Sequence, residues 1–137
     1  MVADMGASIT IRRRIQWFDT DSSTKYHNTA PLRLMEEAEA ALLDRLGIVR
    51  QVYGWLPRRR VTIDYLWPLR FWDEVEVDLD VAEVGRTSVT YAFRIRRGEE
   101  PHAEGSVVAV YIDGDGRPRS WPEEYRRLLQ GSGSGER

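Results

Sequence analysis

Apolar residues recur at steps of three and four between Ala30 and Gly47. Leu32, Met35, Ala38, Leu42 and Leu46 make one stripe, and Glu36, Glu37, Glu39, Asp44 and Arg45 fall largely off it. That period predicts an amphipathic helix. Pro31 suits its first turn, where backbone N–H groups have no intrahelical acceptor. Gly47 suits its end, because glycine takes the left-handed conformation that closes helices. Elsewhere the period is two. Between Trp72 and Glu83, Val75, Val77, Leu79 and Val81 alternate with Glu74, Glu76, Asp78 and Asp80. This predicts a strand with one buried face and one wet, acidic face. Thr87 to Arg96 repeats the alternation with Val89, Tyr91, Phe93 and Ile95 inward. Ala103 to Ile112 is apolar on both sides and is expected inside a sheet. Two less regular stretches, Ala7 to Phe18 and Val61 to Trp67, also read as strands, and Pro68 ends the second. Ile48 to Pro57 is a connector in which Val52, Tyr53 and Trp55 are apolar enough to pack. Turns fall at Gly85-Arg86, Gly98 to Pro101 and Asp113 to Gly116, and Pro122 to Gln130 predicts a short last helix.

The order is strand, long helix, four strands joined largely by tight turns, then a short helix. One helix cannot cover both faces of such a sheet, so the fold class is α+β, with the helix packed on a curved antiparallel sheet. Ala38, Ala40 and Ala41 are expected to let the sheet approach the helix closely.

Length and composition narrow the partners. A chain of 137 residues, 42% hydrophobic and 31% charged, reads as one domain with a real core and a soluble surface. That domain is expected over residues 1–130, followed by a flexible Gly/Ser-rich tail at 131–137. A net charge of −2 gives no pull toward nucleic acid or an acidic membrane. The absence of cysteine removes disulfides, thiolate metal sites and a cysteine nucleophile, and suits a reducing cytoplasm. The first residues lack the apolar core of a signal peptide, and no apolar run approaches the ~20 residues of a membrane span. A cytoplasmic protein with no membrane insertion is expected.

Chemistry gathers before the long helix. Asp19, Asp21, Lys25, Tyr26, His27, Asn28 and Thr29 lie in one short loop. Asp19-Thr-Asp21 is open to three readings, a catalytic carboxylate, part of a metal site, or a turn and cap. His27 is one of two histidines and is either a satisfied polar residue or a catalyst. A carboxylate, an imidazole and helix-start amides together suit acyl transfer, since helix N-termini attract developing negative charge. No ligand cluster with metal spacing accompanies them. His102, beside Pro101 at a turn, is expected to be exposed. Arg12 to Arg14 reads as a solvated face or sheet edge, with ligand phosphate as the other reading. The chain has no Gly-x-Ser-x-Gly elbow, phosphate loop or dinucleotide fingerprint. Trp67, Trp72 and the neighbouring aromatics read as core or interface rather than as nucleobase platforms.

The segments WFDTD, YHN and LRLMEEAEAALLDRLGI, the later block IDYLWPLRFWDEVEVDLDVAEVGRTSVTYAFRI, and the ending AEGSVVAVYIDGDGRPRSWPEEYR share an order and spacing with a known family. Together they resemble the hotdog-fold acyl-CoA thioesterases of the 4-hydroxybenzoyl-CoA thioesterase family, including the branch linked to the Tol–Pal system. The resemblance runs from about Ile9 to Leu129. It implies a long helix wrapped by an antiparallel sheet, self-association as a dimer or tetramer, and a site at the dimer interface near the helix start. It implies that Asp21 is the catalytic carboxylate and that His27 matches the branch's Tyr-His pair. It also implies that backbone N–H groups around Tyr26, His27, Asn28 and Thr29 hold the thioester oxygen. Two departures are local: where the family has a glycine-containing segment after the motif, this chain has Ser22-Ser23-Thr24-Lys25, and the spacing from Asp21 to His27 is one residue shorter than in the Tol–Pal branch.

The activity expected from this resemblance is hydrolysis of an acyl-CoA to free acid and CoA, with no cofactor and no metal. Arg58, Arg59, Arg60 and Arg86 are the candidate cations for the CoA phosphates. Two rivals stand beside it: a hydratase or dehydratase of 3-hydroxyacyl thioesters on the same fold, and a non-catalytic acyl-thioester binding protein.

Overall fold

The computed structural model describes residues 6–131. The first residues and all of the expected tail after Gly131 lie outside them. Five strands, β1 (Ser8–Arg14), β2 (Arg58–Tyr65), β3 (Glu74–Val84), β4 (Ser88–Arg97) and β5 (Glu100–Val110), form one antiparallel sheet in the order β1-β3-β4-β5-β2. The helices are α1 (Ala30–Arg45), a single turn α2 (Val49–Val52) and α3 (Glu123–Leu129). The α+β expectation holds, and β5 is an interior strand as its two apolar faces required.

Alternation builds the buried face. Val77 pairs with Ile95, Leu79 with Phe93 and Val81 with Tyr91. Phe93 and Tyr91 then pair with Gly105 and Val107 on β5. These rows meet α1 through Leu34, Met35, Ala38, Leu42 and Leu43. Each of these leucine and methionine side chains contributes about 1.5–3 kcal/mol by leaving water. Gly105 is required by close approach: a Cβ there would sit 2.1 Å from the Thr62 carbonyl oxygen and 2.9 Å from the Phe93 ring. Gly47 closes α1 at φ +82°, as expected.

The buried stripe of α1 differs from the expected one. Leu32 is only half-buried, whereas Leu34, Glu39 and Leu43 are buried. Of the three alanines, only Ala38 enters the core. Glu39, placed off the stripe by its charge, is 0% exposed. It is buried because Arg58 at the start of β2 reaches it with two bonds, of 3.0 and 2.5 Å. Strand limits also shift. Arg58 to Arg60 belong to β2, which ends at Tyr65, and β1 stops at Arg14, before a 3-10 turn at Trp17–Asp19. In the connector Val52 packs inside, but Tyr53 and Trp55 are exposed. Trp67 and Trp72, read as core or interface, are 59% and 52% exposed in this chain.

Both sheet edges are visible. β1 carries Arg12 to Arg14 along one edge, where Arg12 and Arg13 pair with Glu76 and Glu37 and Arg14 lies over the Trp72 ring. β2 is the other edge, and most of its residues are exposed, including Val61 and Tyr65.

Candidate active site

The loop between β1 and α1 is built around Asp19. Its carboxylate is 3% exposed, accepts the Gln16 N–H at 2.8 Å, and meets the Arg33 guanidinium at 2.7 Å with each oxygen. Arg33 comes from the first turn of α1, so this pair ties the loop's first residue to the helix. The Asp19 carbonyl accepts the His27 N–H, and a bridge joins Thr20 to Tyr26. The loop is thereby folded back as a narrow hairpin with Asp21 near its tip.

Asp21 points the other way. Its Oδ1 accepts the Ser23 N–H at 2.8 Å and the Ser23 hydroxyl at 2.5 Å. Oδ2 has no partner among the described residues. The catalytic and capping readings of this aspartate therefore coexist, since one oxygen caps the turn and the other faces solvent. The Ser23 hydroxyl first, and then its N–H, hold the Asp21 carboxyl below the usual carboxylate range against a small opposing effect of desolvation, and His27 and Lys25 add to the lowering. The turn after it needs a left-handed residue, and Thr24 supplies it at φ +67°. That is the segment where the resemblance implies a glycine, and threonine adopts this conformation at a steric cost.

His27 is exposed at the helix start. Its Nδ1 accepts the Thr29 N–H at 3.1 Å and lies 2.9 Å from the Thr29 hydroxyl. An acceptor at Nδ1 assigns the neutral ring's proton to Nε2, which leaves a donor facing outward. The Asn28 N–H has no acceptor among the described residues, while the Asn28 carbonyl accepts the Tyr65 hydroxyl at 2.5 Å. Tyr26 is half-buried and stands edge-on to Tyr65 with ring centres 6.4 Å apart. Burial first, and then Tyr65, push its phenol above the usual range. Asp21, Tyr26, His27, Asn28 and Thr29 thus share one loop beside the start of α1, and Tyr65 joins them from β2. Tyr65 is an addition to the expected set; it is visible only once β2 and the loop are brought to the same end of the sheet.

The four candidate arginines lie at the opposite end of the chain's sheet. Arg58 is turned inward to Glu39 and Glu36. Burial works against its charge, but hydrogen bonds and attraction from Glu39, then Glu36, prevail and hold the guanidinium's pKa above its usual value. Arg59 and Arg60 are exposed and have no ion-pair partner among the described residues. Arg86, in the β3–β4 turn, donates to the Ser120 hydroxyl at 2.9 Å. His102, expected to be exposed from its turn position, is only 5% exposed, because residues 66–68 fold across it: the N–H groups of Leu66 and Trp67 donate to its backbone carbonyl, and the carbonyls of Trp67 and Pro68 face its ring. Among the described residues no group of three or more His, Asp or Glu side chains is placed to hold a metal ion, and no helix is long and apolar enough to cross a membrane.

Comparison with known proteins gives the family and the fold. The family model described as the thioesterase-like superfamily matches residues 15–129. A 1,4-dihydroxy-2-naphthoyl-CoA hydrolase of Synechococcus elongatus is 27% identical over 131 residues, covering 90% of this chain and 96% of the relative. A thioesterase of Thermus thermophilus, solved in complex with coenzyme A and Zn, superposes with a TM-score of 0.80 at 28% identity, over 88% of this chain and 90% of that one. A 1,4-dihydroxy-2-naphthoyl-CoA thioesterase of Synechocystis shares the fold at a TM-score of 0.78 and 19% identity, over 89% and 95% of the two chains.

Proposed function

The chain belongs to the thioesterase-like superfamily, and on that premise we propose that it is an acyl-CoA thioesterase whose catalytic carboxylate is Asp21. The observation that carries the reading is the pairing of opposite roles in the two aspartates. Asp19 is buried and spends both oxygens on holding the loop; Asp21 is exposed and keeps one oxygen open beside the start of α1. The Asn28 N–H and the outward Nε2–H of His27 are the donors for the thioester oxygen. One such donor lowers the barrier by about 2.7–4 kcal/mol. Asp21 then either attacks the carbonyl carbon, giving a mixed anhydride that water cleaves, or takes a proton from the water that attacks. In both routes water adds to the acyl group and the thiol leaves with a proton.

Self-association completes the site in this reading. β2 is an unpaired edge with exposed Val61 and Tyr65, which is the kind of edge that proteins cover. Antiparallel pairing of two β2 strands about a two-fold axis turns the partner's sheet end for end. The partner subunit's Arg59 and Arg60 then fall at the end where this chain carries Tyr65, Asn28 and Asp21. The partner subunit's Arg86 turns to that same end. Those cations supply the contacts for the CoA phosphates, while Arg58 stays with Glu39.

A thiol-release assay across short, long, branched and aromatic acyl-CoAs tests the proposal. Turnover of at least one substrate that vanishes in Asp21→Asn supports it. Tight acyl-CoA binding without thiol release across the panel overturns it. Loss of the enoyl absorbance of crotonyl-CoA without free thiol would point to hydration instead.

A further inference from the structure

His102 sits at the start of β5, and the proposed reaction assigns it nothing. It is nevertheless the point where three pieces of the proposed catalytic end meet. Its ring Nδ1 lies 3.1 Å from the Pro68 carbonyl oxygen and 3.3 Å from that of Trp67. Both are pure acceptors, so Nδ1 carries the proton and donates. Its backbone carbonyl accepts the N–H of Leu66 at 2.9 Å and of Trp67 at 3.2 Å, and the Tyr26 hydroxyl at 3.4 Å. Its Nε2 is 3.2 Å from Glu100.

The segment fixed in this way, residues 66–70, is the one against which the Asp21 loop lies. The Tyr26 N–H donates to the Leu69 carbonyl at 2.8 Å, and a bridge joins Lys25 to Arg70. The Lys25 carbonyl in turn accepts the Asp21 N–H at 3.1 Å. A continuous path therefore runs from the imidazole through the carbonyls of Trp67 and Pro68 to Leu69 and Arg70, then to Lys25, Tyr26 and Asp21. Leu69 anchors the middle of it in the core at 0% exposure. A buried donor aimed at two main-chain carbonyls is costly to leave unmet, which gives the arrangement one preferred position.

We infer that His102 is a positioning residue for the proposed thioesterase site: through its Nδ1–H it sets residues 66–70, and through them the placement of Tyr26 and Asp21. A misplacement of about 1 Å in such a loop is enough to cost up to about a hundredfold in rate. The inference rests on the proposed reaction only for its activity readout.

Three substitutions separate positioning from mere packing. His102→Asn keeps a side-chain N–H near the place of Nδ1, His102→Gln moves it toward the place of Nε2, and His102→Leu removes it. All are assayed below the melting transition of the least stable. The expected result is a kcat about tenfold to a hundredfold lower in the Leu and Gln variants, with a smaller change in KM, and recovery to within about threefold in the Asn variant. In parallel, amide exchange at Tyr26 is expected to speed up in the Leu and Gln variants and stay slow in the Asn variant. Wild-type kcat in His102→Leu, or Asn and Leu variants that fall together in step with lost stability, overturns the inference. The exchange measurement does not depend on the chemistry. If the wild type releases no thiol, the proposed reaction fails, while unchanged exchange in His102→Leu fails the positioning inference separately.

Discussion

Asp19 and Arg33 meet as a two-pronged ion pair, Nε to Oδ1 and Nη2 to Oδ2, both at 2.7 Å. The pair decides which of two near-neighbour carboxylates is left exposed, and so which one the proposed reaction can use. The guanidinium's flat fork matches the carboxylate, consumes both oxygens, and leaves Asp21, two residues on, as the one facing solvent.

Asp19→Asn should therefore act on stability. It removes one of the two charge-assisted bonds and the charge itself, and leaves Glu37 as the carboxylate paired with Arg33. Since Arg33 is partly exposed, the loss should be about 1.5–3 kcal/mol. Urea unfolding at neutral pH reads it out, and an unchanged midpoint would remove this pair as the loop's anchor. In protein that remains folded, turnover should fall much less than in Asp21→Asn.

Asp21→Asn should lower kcat by roughly 10²–10⁴ with little change in melting temperature, because Asp21 is exposed and its carboxylate bonds only Ser23. A wild-type rate, or a loss that follows unfolding in the same sample, would return Asp21 to a capping role.

Ser23→Ala tests the same carboxylate through pH. In the proposed reaction the active form is the carboxylate, and the bonds from Ser23 hold its pKa below the usual carboxylate range. Activity is thus present above that lowered value and lost as pH falls through it. Removing the hydroxyl raises the pKa toward its ordinary value, so the acid limb of kcat/KM should move to higher pH. A limb that stays in place would assign the ionisation to another group.

The edge strand carries its own prediction. The protein should sediment as a dimer or larger at micromolar concentration, and Val61→Asp on β2 should shift it toward monomer with loss of activity. A fully active monomer would count decisively against a site completed by the partner.

Arg59→Glu with Arg60→Glu should raise KM for an acyl-CoA more than for a truncated pantetheine thioester, because only the former carries the nucleotide phosphates. Equal effects on both substrates would remove these two residues from phosphate binding.

What could be read from the linear chain follows from the range of the interactions involved. β3 and β4 announce themselves because alternation is local: Val75 to Val81 and Val89 to Ile95 record a buried face without reference to anything distant. The candidate loop was legible for a similar reason, since Asp21, His27 and Asn28 sit close before a helix whose start Pro31 marks. Glu39 was not, because its burial depends on Arg58, which arrives from 19 residues away and only once β2 has paired. The signal was present as Glu36 and Glu39 one turn apart on a helix, followed by an arginine cluster. His102 was misplaced for the converse reason. Its neighbours are turn-like, and the cover over it, residues 66–68, belongs to a different connection.

The Glu39–Arg58 pair also bears on how this sequence can change with time. Glu39→Leu leaves a partly buried guanidinium with Glu36 as its one carboxylate and the Leu56 carbonyl as a further acceptor. Arg58→Met leaves a fully buried carboxylate next to the Tyr91 hydroxyl, which itself has no hydrogen-bond partner among the described residues. Each single step should destabilise by about 3–5 kcal/mol, whereas an apolar pair at both positions is often close to neutral. That is a large part of the roughly 5–15 kcal/mol by which domains are stable. The two positions are therefore expected to be inherited together. Lineages of this chain should keep both charges or have lost both, with few intermediates, and the viable route between the two states runs through a background stabilised elsewhere first.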